Sequence, residues 1–139
     1  MDATMNMGSD PRRRAGRSSK ALRRTAAVAA VVAGAVHIPV TPEHLREAPY
    51  MGVMFLALTV ACLGLAVGLW FSESTTVVAA AGMVCGAAIV GYVLTRTVAF
   101  PQLADDVGNW LEPLGVAAIP SEAVVVASCV VLVRGPPRR

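Results

Sequence analysis

Residues 50–71 read YMGVMFLALTVACLGLAVGLWF, and SEST separates them from a second apolar run that reaches Phe100. No charge interrupts the first run, and its length matches the roughly 20 apolar residues that cross a bilayer core of roughly 30 Å. The outer face of a helix in a soluble domain would carry polar residues every third or fourth position. This run has a single threonine between its terminal aromatic residues. It therefore reads as a helix with apolar surroundings on every side, and residues 76–99, with Arg96 near their far end, read the same way.

Working outward, residues 21–40 form a third run, and residues 118–134 a fourth whose apolar part is shorter. The expectation is all-α: a four-helix transmembrane bundle with spans at about 21–40, 50–71, 76–99 and 118–134. Composition agrees, since 55% hydrophobic and 15% charged residues in a chain of 139 is too apolar for a soluble domain of that size. Pairs of glycines spaced by four, Gly64/Gly68 and Gly82/Gly86, suggest close approach between the second and third spans. Cys62, Cys85 and Cys129 lie inside apolar runs and read as small core residues.

The net charge of +3 is a matter of placement. Seven of the twelve basic residues precede the first apolar run and three follow the last, leaving Arg46 and Arg96 between them. By the positive-inside bias both termini are expected in the cytoplasm, in a plasma membrane, with an even number of spans. Residues 1–20 read as a disordered basic tail that touches anionic lipid, and residues 135–139 as a second basic tail; nucleic-acid binding is not the expectation. In a rival reading ALRRTAAVAAVVAGA is a signal peptide cleaved after Ala35, against which the apolar run continues past that point.

Pro39 should end or kink the first helix, and Thr41-Pro42-Glu43 reads as N-cap, N1 and N2 of a fresh turn. Residues 100–122 carry Leu103, Val107, Trp110 and Leu114 at helical spacing with Asp105, Asp106 and Asn109 opposite. That pattern predicts an outer interfacial helix with Trp110 at headgroup depth, and Ser121 capping the fourth span.

With both ends inside, the remaining ionisable side chains gather at the outer end of the bundle. Helix rise places His37 roughly 20 Å above Arg24, and Glu122 roughly 18 Å above Arg134, so the two lie at similar depth. Ionisable groups inside a membrane usually face a partner or a water-filled pocket. Arg96 is the expected ion-pair partner of Glu122. A metal site would draw on His37, His44, Glu47 and Glu122, with Met51 and Met54 a helical step away; these donors suit Cu or Zn. A lipid, quinone or other small-molecule site uses the same vestibule, and a network that only fixes helix register needs no ligand.

The pieces HIPVTPEHLRE, GVMFLALTVA, TRTVAFP, WLEPLG and PSE resemble those of small four-span membrane proteins of high-GC actinobacteria, over most of residues 25–133. The resemblance implies fold and membrane location and carries no activity. Glu-x-x-His pairs for a di-iron bundle, facing histidines for a haem, and hydrolase, nucleotide-binding or CxxC motifs are all missing from the sequence. The expectation is a ligand-binding protein, or an accessory subunit with a membrane-protein partner or a second copy of itself, rather than an enzyme.

Overall fold

A computed structural model describes residues 11–135, with side chains from Arg14 onward. The described residues are helical and contain no strand. The elements are α1 (Pro11–His37), α2 (Thr41–Glu47), α3 (Pro49–Phe71), α4 (Thr75–Thr97), a single 3-10 turn (Ala104–Asp106) and α5 (Pro113–Arg134). Helices α3, α4 and α5 are each long and apolar enough to cross a membrane; α1 and α2 together make a bent pair, turning through 45° at their break, that passes the same test.

The long helices close into a ring in which α1 and α4 each pack against both α3 and α5. Small side chains make this ring tight. Ala26, Ala30 and Ala33 are buried along one face of α1, at the spacing of successive helical turns. Beside them Gly34 brings α1 against α3, where a Cβ would lie 3.3 Å from the Thr59 carbonyl oxygen and 3.3 Å from the Cys62 Cβ. The Thr59 hydroxyl donates to the Gly34 carbonyl at 3.3 Å, so the crossing is also hydrogen-bonded.

The expected approach of glycines between α3 and α4 holds at Gly68, where a Cβ would lie 2.9 Å from Cγ1 of Val77, and not at the other three. Gly64 has nothing within 4 Å, while Gly82 sits against Cys129 of α5 rather than against α3. The core holds Leu69, Val78, Val125 and the three free thiols Cys62, Cys85 and Cys129. Outside it, Val53, Val60, Val67, Met83, Val90 and Val131 are all exposed. An apolar surface this extensive is ordinary in lipid and exceptional in water.

At the end of the bundle where α1 begins, Arg23 is buried and donates to the Leu69 carbonyl at 3.1 Å, satisfying an otherwise open acceptor in the last turn of α3. Its guanidinium also lies 3.9 Å from the Glu73 carboxylate. Arg24 covers the Trp70 ring at 5.1 Å. Between α3 and α4 the Ser74 amide donates to the Ser72 hydroxyl at 3.1 Å, forming the tight turn expected there.

Four expectations require correction. Residues 11–20 are helix rather than disordered tail: Pro11 occupies the first helical turn, and the Arg, Lys and Ala that follow extend a helix already nucleated by its packed half. Residues 1–10 and 136–139 lie outside the described residues. The interfacial helix is absent; Gln102 and Gly108 adopt φ of 65° and 82°, incompatible with a continuous helix, and residues 100–112 form turns instead. The last long helix starts at Pro113 rather than at about 118, because Glu112 is its cap, accepting from the Leu114 amide at 3.0 Å and the Gly115 amide at 2.5 Å.

Thr41 likewise caps nothing. Its hydroxyl turns back to donate to the His37 carbonyl at 2.7 Å, and α2 begins without a side-chain cap.

Candidate ligand cavity

The break at Ile38-Pro39-Val40 swings α2 away from the α1 axis, and the turns of residues 100–112 fold over the opposite side. Two tyrosines tie those turns to the bundle. Tyr50 donates to the Pro101 carbonyl at 2.7 Å and Tyr92 to the Trp110 carbonyl at 2.8 Å. Between α2 and those turns opens a cavity of about 680 Å³, within the range of roughly 300–1,000 Å³ typical of small-molecule sites. Its mouth is charged and its lower walls, with Leu58, Ala61, Val84 and Ala88, are apolar.

His37, His44, Glu47 and Glu122 all line this cavity, as do Met51 and Met54. The chain therefore brings together the residues expected at one site. Among the described residues, however, no group of three or more His, Cys, Asp or Glu side chains is placed to hold a metal ion, so Cu or Zn at these residues gains no support from the geometry. Glu43 and Glu47 project from exposed positions on α2, while Glu122 is 2% exposed.

Both histidines are oriented in the same way. Nδ1 of His37 meets the Ala33 carbonyl at 2.6 Å and Nδ1 of His44 meets the Val40 carbonyl at 2.9 Å. A carbonyl only accepts, so each Nδ1 carries the proton and each Nε2 is left for the cavity or a neighbour. Phe55 lies between the two rings, 5.4 Å from His37 and 4.9 Å from His44 in an edge-on contact. This phenylalanine was not singled out by the sequence, where it is one of many apolar residues of α3.

The expected pair of Arg96 with Glu122 is not formed. Arg96, itself buried, places Nη1 3.0 Å from the Asp106 carboxylate and Nη2 3.9 Å from that of Glu112, with Tyr92 stacked 4.8 Å from the guanidinium carbon. Its Nε is buried without a hydrogen-bond partner. Glu122 faces His37 instead, its Oε1 3.8 Å from Nε2. The depths derived from helix rise already placed these two residues level. Arg96 is drawn the other way because the Gly108 amide donates to its carbonyl at 3.0 Å, which folds Asp106 back over the end of α4.

No protein family, curated protein or solved structure matches the chain.

Proposed function

We propose that this chain is a four-span integral membrane protein with both ends in the cytoplasm, and that its cavity binds a small amphipathic organic molecule. The observation that carries the reading is Glu122, a carboxylate buried at the cavity wall whose one ion-pair partner among the described residues is the His37 imidazole, 3.8 Å away. Burying such a group costs free energy that packing alone does not require, and ligand sites are where that cost is usually met. The apolar lower walls supply the remaining affinity.

The proposed orientation rests on the basic residues. Arg14, Arg17, Lys20 and Arg24 are exposed on α1 at the end that also carries the α3–α4 turn, where anionic headgroups would meet them. Fluorescent-protein fusions after Glu73 and after Arg139 are expected to fold and fluoresce, as only cytoplasmic fusions do. Activity of secreted-phosphatase fusions at both points would invert the assignment.

Binding is tested with the full chain in lipid nanodiscs, using n-decanol and n-decylamine as probes. At least one should raise the unfolding midpoint saturably, because a ligand bound only by the native state stabilises it. Ala88→Phe, which fills the cavity, should remove that effect. If neither probe acts, or both act equally on the filled variant, the reading fails. A saturable rise with Cu(I), Cu(II) or Zn(II) instead would restore the metal assignment.

A further inference from the structure

Charge in the cavity is one-sided. Arg96 is the single guanidinium in its lining among the described residues, and both its terminal nitrogens are spent on Asp106 and Glu112. Glu43, Glu47, Asp105 and Glu122 also line the space, and among the described residues none of these forms an ion pair with lysine or arginine. A recess lined by one sign of charge over apolar walls concentrates ions of the other sign.

The deeper observation concerns hydrogen-bond donors. Because His37 donates Nδ1–H to Ala33, its ring when neutral presents a bare lone pair at Nε2, and this nitrogen lies 3.8 Å from Oε1 of Glu122. Two acceptors thus converge on one point, and among the described residues no protein group donates a hydrogen bond to the Glu122 carboxylate. A ligand that completes the site with the carboxylate ionised brings donors and positive charge together.

Accepting that the cavity binds a ligand at all, we infer that the ligand is a protonated amine with an apolar body. It enters from the aqueous mouth and donates N–H bonds to Glu122 and to Nε2 of His37. The hydrocarbon lies against Phe55 and Leu58, and the acidic rim of Glu43, Glu47 and Asp105 draws the cation in. Neutral amphiphiles share the apolar contacts but not the charge, and quaternary ammonium ions share the charge but donate no hydrogen bond.

The test compares three ten-carbon probes on the wild-type chain in nanodiscs: n-decylamine, n-decanol and decyltrimethylammonium. Decylamine should bind at least about tenfold tighter than either of the others, the factor a charge-assisted hydrogen bond supplies. Glu122→Gln should abolish that preference and Glu122→Asp should keep part of it. Decanol binding as tightly as decylamine would overturn the cation while leaving ligand binding intact. Equal affinity of the quaternary ion would overturn the two-acceptor site. Since the comparison is made on the wild type, it stands even if Glu122→Gln fails to fold; failure of all three probes would instead sink the ligand-binding reading itself.

Discussion

Replacing Arg96 with methionine is expected to lower stability by about 3 kcal/mol, measured by unfolding in mixed micelles of increasing denaturing-detergent fraction. The side chain is 7% exposed and lies over Tyr92, while its charge meets Asp106 and Glu112. Methionine keeps most of the packing, so the loss comes from leaving two carboxylates without their cation. A double-mutant cycle separates the partners. Arg96 and Asp106, in contact at 3.0 Å, should show a coupling of about 1–3 kcal/mol. Arg96 and Glu122 should be additive to within about 0.5 kcal/mol. Coupling to Glu122 as large as that to Asp106 would show that the pairing is wrong.

Gly52→Ala should cost as much, for a different reason. A Cβ on Gly52 would lie 2.6 Å from the Leu45 backbone nitrogen and 2.7 Å from its Cα, so α2 itself must move. Overpacking ordinarily costs about 1–3 kcal/mol, and an obstacle made of backbone puts this site at the upper end. Displacing α2 also carries His44 and Glu47 away from the cavity, so decylamine binding should weaken in the same variant. Gly64→Ala is the control: nothing lies within 4 Å, and alanine in place of a mid-helix glycine should stabilise by about 0.5–1 kcal/mol. Equal tolerance of the two changes would mean that α2 does not pack on α3 as described.

Much of the site was legible because height along a helix follows from counting. His37 and Glu122 were level on that count, and the structure puts them 3.8 Å apart. The choice of Arg96 as partner went astray because depth says nothing about azimuth, the direction in which a side chain leaves its helix. The interfacial helix misled in another way. Its apolar spacing was real, but Gln102 and Gly108 take left-handed backbone conformations, and the Tyr50 and Tyr92 hydroxyls hold the carbonyls of Pro101 and Trp110. A signal for the true start of α5 was available in Glu112-Pro113, an acceptor followed by proline at the first helical position.

What the sequence by itself determined is the set of long helices and their apolar character, because in lipid every backbone donor and acceptor must be satisfied within its own segment. The runs at α3, α4 and α5 could form little else, and Pro39 alone was enough to announce the break after α1. Only the tertiary structure decided the ring order, the contact of Gly34 with α3, the loss of the interfacial helix and the exchange of partners between Arg96 and Glu122. In helices that are apolar on every face, the hydrophobic pattern does not say which face turns inward. That choice is made by the fit of small residues at each crossing and by where the few polar side chains find partners, and both depend on all the helices being in place together.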